Sequence, residues 1–469
     1  VSEPSTASAQ ETGLRKVLGL RDLVLAQVLC VVGSSWVGVA AKLGRAHVVF
    51  WLVAMVLFYL PLAAVVIYLN RLMPLEGGLY QWAKAGFGEM AGFLIAWNLW
   101  VYAVVVTGAI IFVVPTDISY MLGPSMAWLP SSKLATLLLT GSVMVGITWV
   151  AVRGLNIGKW LHNAGSVMIL TAYAILLGLP LWALARGSIS NFEAVPWQLP
   201  RLDWFSLAIF GQMTVGALSG FEYVAILAGE CRSAARTIGL SVILSAPVIA
   251  LMFILGTSSV LTFLGNQPIN VIGPIPQTFR LAFGSAGAAA WAAPLGISLI
   301  LARAIASASL IFTGLTRLPM TAGWDNIVPP WFTRLDPLRR TPVNSILFVA
   351  ALVMGLILLS LMGVEEQESQ QLLTMASIVH YAIAYVALFA LPLAGRAALR
   401  GRLPPWLKVA AAGGLLSSLV ALSISLYPIV NVVSRTAFAA KICAVVVVSN
   451  MAGLMIYRIG TRGKQSRDL

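Results

Sequence analysis

The sequence predicts an all-α polytopic membrane protein: about twelve transmembrane helices, ten of them in a five-plus-five inverted repeat, with two C-terminal helices added. Three observations carry this expectation. The 469 residues are 59% hydrophobic and only 10% charged, with a mean hydropathy of +0.91, a balance found in multi-pass helical proteins and not in soluble multidomain chains. Apolar runs long enough to cross a bilayer recur along the chain, separated by Pro, Gly and charge clusters. Two of those runs, five apart, are interrupted by glycine and serine, which points to inverted repeats with a site between them near the membrane midplane.

The runs fall at 22–43, 48–69, 87–122, 134–152, 160–184 and 204–229 in the first half. They continue at 237–263, 289–315, 344–362, 372–393, 407–427 and 438–457. The third is long enough to cross at a strong tilt. Ala85-Gly86-Phe87-Gly88 entering the third run is echoed by Leu281-Ala282-Phe283-Gly284 entering the eighth. The domain expectation is a tail at 1–19, a repeat core at 20–400, two further helices within 401–458 and a tail at 459–469. The first tail is polar and shows no signal peptide, so the first span is expected to stay in the protein.

An even number of spans puts both ends on one side, and basic residues say which. Arg15, Lys16, Arg317, Arg334, Arg339, Arg340, Arg396, Arg400 and Arg402 fall on the side of the termini, and Glu365, Glu366 and Glu368 on the other. Both termini are therefore expected in the cytoplasm of a plasma-membrane protein. The same rule accounts for the net charge of +14 without nucleic acid, since the charges lie between spans and not in a stripe or tail. Cys30, Cys231 and Cys443 form no ligand or disulfide spacing and read as packing residues.

The two interrupted runs are the informative ones. The first reads Val31-Val32-Gly33-Ser34-Ser35-Trp36-Val37-Gly38, and the sixth reads Thr214-Val215-Gly216-Ala217-Leu218-Ser219-Gly220-Phe221-Glu222. A helix that breaks at membrane depth leaves N–H and C=O groups that hydrocarbon cannot satisfy, so the break must face protein, water or a ligand. The alternative is a tight helix crossing, for which small residues are also suited.

At these residues the chain resembles the amino acid–polyamine–organocation permeases, which have the leucine-transporter fold. Four local patterns carry the resemblance: Gly33-Ser34-Ser35, similar to the family's Gly-Ser-Gly; Pro74-Leu75-Glu76-Gly77-Gly78-Leu79-Tyr80 followed by Phe87-Gly88 and Gly92 to Trp97; Gly220-Phe221-Glu222 with Glu230; and Arg317 to Asp325, Pro329 and Arg340-Thr341-Pro342-Val343-Asn344. Departures are Ser35 for the second glycine, Arg232-Ser233-Ala234 for the usual Lys-Asn-Pro, and Ile169 where some proton-coupled members carry a lysine. The resemblance implies a secondary active transporter of amino acids, driven by protons or by exchange, with no cofactor.

Helix polarity reaches the same binding mode independently. The outer half of the first span starts after Gly33-Ser34-Ser35, and its free N–H groups suit a carboxylate. The half of the sixth span ending near Val215 offers carbonyls to an ammonium group. The substrate-binding candidates are thus Gly33, Ser34, Ser35, Trp36, Val215, Gly216, Ala217, Ser219, Gly220 and Phe221. Glu222 is the expected proton-coupling carboxyl, or else a helix-packing one. Arg303, midway along the eighth span, should face the interior and find a partner, either Glu222 or Asp117. Ser307 and Ser309 suit a sodium-like position or their own backbone. His162 and His380 suit proton transfer or hydrogen-bonded packing. Trp97, Trp100 and Tyr102 suit a pocket wall or plain packing.

In several members of the family an aromatic residue stands where this chain has Gly216. Unless Trp36 or Phe221 fills that volume, the substrate expectation is a large neutral amino acid. Two other readings stay open: an amine or polyamine carrier, and an amino acid sensor that does not transport. A membrane enzyme is disfavoured, because no His-Glu-x-x-His, nucleophile elbow or P-loop occurs. The sequence leaves the oligomeric state undetermined.

Overall fold

The computed structural model describes residues 18–73, 78–221, 231, 234–265, 267–284, 288–321, 324, 327–396 and 403–465. Ten helices among the described residues are long and apolar enough to span a membrane. They are span 2 (Gly44–Leu72), span 3 (Glu89–Leu122), span 4 (Lys133–Arg153), span 5 (Ile157–Ala185) and span 7 (Arg236–Leu264). Span 8 (Ala292–Met320), span 9 (Val343–Ser360), span 10 (Glu366–Ala394), span 11 (Pro405–Ile424) and span 12 (Arg435–Thr461) complete the set. Span 1 is a bent pair, Leu20–Val31 and Ser34–Ala41, and the apolar helix Trp204–Ala217 begins span 6.

These elements follow the predicted order, with ends that differ for identifiable reasons. Span 10 starts at Glu366, six residues earlier than its apolar run, because Glu366 and Glu368 sit in the first turn, where the helix dipole favours negative charge. The third run carries an interruption within its length. Its helix ends at Ile111, turns through Phe112 and Val113, and restarts at Val114–Leu122 with Pro115 in the new first turn, where a missing N–H costs nothing.

The echo between the two halves is structural. Leu79–Phe87 forms a short helix before span 3 and ends at Gly88 with φ +102°, and Pro274–Phe283 forms one before span 8 and ends at Gly284 with φ +69°. Glycine reaches those backbone angles without the steric cost other residues meet. Leu18, just before span 1, pairs with Cys231, beyond the described part of span 6, in a single parallel bridge.

Burial separates a centre from a periphery. In their most apolar windows span 3 is 89% buried inside the protein and span 10 is 78% buried, against 11% for span 12. Span 3 packs on spans 8 and 10, span 8 also packs on span 5, and the first half of span 1 lies against spans 5 and 7. Two central helices, 3 and 10, therefore wall whatever the broken helices enclose.

Candidate functional site

The break in span 1 opens the molecule's central cavity. Val32 N–H closes the first half on Val28 O at 2.9 Å, Val32 and Gly33 are extended, and the helix resumes at Ser34 bent by 43°. Gly33 provides no side-chain cap for the new helix, so its first N–H groups need other partners. Span 6 loosens before it stops. Asp203 caps its start through Ser206 N–H at 2.7 Å, but Gln212–Ala217 winds as a π-helix, a form often found at functional sites. The chain then turns through Leu218 to Gly220, whose φ of +118° requires glycine.

Between these breaks lies a cavity of about 60 Å³, enough for a few water molecules. Gly33, Ser34, Ser35, Trp36 and Gly216 line it, together with Arg303 of span 8 and Tyr102 of span 3. Val215, Ala217, Ser219, Gly220 and Phe221 are buried but do not line it. Phe221 stacks on Tyr59 with ring centroids 4.8 Å apart, and Gly220 N–H donates to Tyr385 Oη at 3.0 Å. Glu222 and Glu230 lie outside the described residues, as do Asp325 and the Pro74-Leu75-Glu76-Gly77 start of the second pattern.

Trp36 meets the exception left open in the sequence. A Cβ on Gly216 would sit 2.7 Å from its Cη2 and 2.9 Å from its Cζ3, and a Cβ on Gly33 would sit 2.7 Å from its Cδ1 and Nε1. The indole thus lies between the glycines of both broken spans. The space above Gly216, which the sequence left either open to a large side chain or filled by Trp36 or Phe221, is occupied by Trp36.

Arg303 is buried, 5% exposed, and lines the cavity, while its Nε has no hydrogen-bond partner among the described residues. Asp117 is fully buried, and neither carboxyl oxygen has one. Of the two proposed partners, Asp117 is the described one. It lies within electrostatic range of Arg303, though the two form no ion pair within 4 Å. Asp117 follows the span 3 interruption by one turn, its N–H donating to Val113 O at 3.0 Å, and Val113 lines the cavity.

Sequence reasoning missed the span 10 wall. Gln370, Thr374 and Ser377 line the cavity, and their spacing puts them on one helix face. Gln370 Nε2 donates to Ala109 O at 3.1 Å, which leaves its buried Oε1 without a partner among the described residues. Thr374 and Ser377 within the apolar run, one and two turns after Gln370 at its polar start, were the available signal. Cys30, read as packing, also lines the cavity. Other polar candidates are engaged with protein: Ser307 Oγ donates to Leu29 O at 3.1 Å, His162 Nε2 lies 3.3 Å from Ser309 Oγ, and His380 Nδ1 donates to Ala376 O at 2.8 Å.

A cavity bounded by two interrupted helices at the centre of a multi-pass bundle defines a membrane transporter, a class in which binding groups come from unwound backbone. The solved structure of MhsT in complex with L-phenylalanine matches 88% of this chain and 99% of its own, at a TM-score of 0.57 and 13% identity. That likeness establishes the leucine-transporter fold. The model of the amino acid permease family matches residues 23–449, so the chain belongs to that family, whose members are transporters and not enzymes. Relatives include an uncharacterized transporter of Legionella pneumophila, 24% identical over 69% of each chain. Another is a probable agmatine/putrescine antiporter of Lactococcus lactis, 22% identical over 70% of this chain and 68% of its own.

Proposed function

We infer that the protein carries an amino acid with a neutral or acidic side chain across the plasma membrane by alternating access, with both termini in the cytoplasm. The observation that carries this reading is the pairing of the helix start at Ser34-Ser35-Trp36 with Arg303 on one small cavity. Both are positive, and both suit a carboxylate. Gln370 Oε1 and the carbonyls at the π-helical end of span 6 are acceptors for the ammonium group. A cationic side chain would meet Arg303 in a desolvated site, which weighs against a diamine or arginine as substrate. Preference for large neutral substrates then depends on Trp36 leaving Gly216, and the indole sets the size limit.

Coupling follows from one guanidinium and two claimants. A substrate carboxylate and Asp117 compete for Arg303, so a proton that neutralises Asp117 frees Arg303 for substrate. Glu222 is the second carboxyl suited to this task.

The test is counterflow in proteoliposomes loaded with neutral, acidic and cationic amino acids and with agmatine. Neutral or acidic substrates should exchange and cationic ones should not. Equal exchange of agmatine or arginine would reject the reading, and ligand-induced stabilisation without any flux would favour a sensor. Asp117→Asn should remove the dependence of uptake on an imposed pH gradient while substrate binding persists.

A further inference from the structure

Span 3 has a second lined face. Trp97, Trp100 and Val104 floor a cavity of about 630 Å³ whose walls include Leu352 of span 9 and Val448 of span 12. Its volume lies within the roughly 300–1,000 Å³ of small-molecule sites. A second cavity of about 310 Å³ shares Val105, Leu356 and Ala444 with it and continues to Lys441. Together they make one groove along spans 3, 9 and 12, from Trp331 at one end to Lys441 at the other.

The position of this groove restricts what fills it. Its rims run into surface that faces outward, with Leu359 63% and Val448 66% exposed, on helices that cross the membrane. Water does not occupy apolar cavities of this kind, and at that depth the surrounding medium is hydrocarbon. The one cation on the lining, Lys441, is exposed and has no ion-pair partner among the described residues. An ammonium at the mouth of an apolar slot matches a phosphate joined to an acyl chain. A two-fold pair of chains joined on this face would instead bring two Lys441 groups into one apolar contact.

We propose that the groove is a lipid site, holding one acyl chain of a phospholipid whose phosphate pairs with Lys441. The same helix presents Tyr102 and Val106 to the central cavity and Trp100 and Val104 to the groove. Lipid in the groove therefore bears on the back of a wall of the central cavity.

Native mass spectrometry of the purified protein after exposure to phosphatidylglycerol or phosphatidylcholine tests this without relying on transport. One phospholipid per chain should survive delipidation. Lys441→Ala should lower retention of phosphatidylglycerol about fivefold, and Ala444→Phe, which fills the groove, should abolish it. Leu359→Phe at the exposed rim is the substitute if Ala444→Phe does not fold. Undiminished retention in the groove-filling variant overturns the site. Loss in that variant without loss in Lys441→Ala overturns the phosphate assignment. Conversion of a dimer to a monomer with lipid content unchanged makes the face a contact between copies and overturns the proposal.

Discussion

The two faces of span 3 meet very different spaces. One borders a cavity of about 60 Å³ set with Arg303, Ser34, Ser35 and Gln370, and the other floors a groove of about 630 Å³ lined by Trp and aliphatic side chains. Size alone would choose the groove as the substrate site. Chemistry chooses the cavity, because only there do broken backbone, a buried cation and unpartnered acceptors converge. The difference teaches that in a membrane protein a large apolar hollow suits a lipid chain, while a small polar one is costly and points to a functional interior.

The largest expected effect breaks the polar side of that comparison. Arg303→Leu removes a buried cation within electrostatic range of Asp117, and should cost about 3 kcal/mol, the upper end for a single substitution. Thermal unfolding followed by size-exclusion fluorescence should show the loss, and Asp117→Asn in the same chain should restore most of it. A single variant as stable as wild type would mean that the two groups are not coupled.

Next comes the indole between the glycines. Gly216→Ala places a methyl group against Trp36, and overpacking of this kind costs about 1–3 kcal/mol. Trp36→Leu in the same chain should relieve it. Trp36→Ala alone should raise the relative uptake of large substrates over alanine, and an unchanged ratio would remove Trp36 from substrate sizing.

On the groove side the expected effects are small. Leu359→Ala, at a rim that is mostly exposed, should shift stability by no more than about 0.5 kcal/mol. A loss of several times that size would show Leu359 to be covered by protein and would weaken the contrast.

The smallest effect lies at the membrane edge. Glu89 accepts from Lys84 at 3.0 Å, and this contact raises the Lys84 ammonium above its ordinary 10.5. A raised ammonium contributes stability that is complete below its unfolded value and fades only as pH climbs through the folded one. Both groups are well exposed, so Glu89→Gln should cost only about 0.2 kcal/mol. That small difference from wild type should be constant across neutral pH and vanish in strong alkali, where the ammonium deprotonates, and in strong acid, where the carboxylate is neutralised.

Much of the fold was legible because bilayer length and apolarity mark spans residue by residue. The breaks were legible too, since Gly33-Ser34-Ser35 and Gly216 to Gly220 put small polar residues where an uninterrupted helix has Leu and Val. The filling of the space above Gly216 was not. A glycine shows that something approaches closely, but whether a ligand or Trp36 does so depends on how spans 1 and 6 cross. Arg303 stood out in its span, yet its neighbour Asp117 arrives from span 3 only after the interruption at Phe112 and Val113. The groove left no pattern at all, because spans 3, 9 and 12 each read as ordinary apolar helices until they are set side by side.

Trp36 also constrains the order in which this molecule can change. Its ring is accommodated by a missing side chain in each half of the repeat, Gly33 in one and Gly216 in the other. Bulk at either glycine meets the indole where it stands, and shrinking the indole first would leave a hollow at the centre of the protein. A lineage altering its substrate range through this position must therefore pass through an overpacked intermediate or one with a void before it carries a fitted side chain at 216. Descendants that made the exchange would carry a smaller residue at 36 together with a larger one at 216, a correlated signature spanning both halves of the repeat.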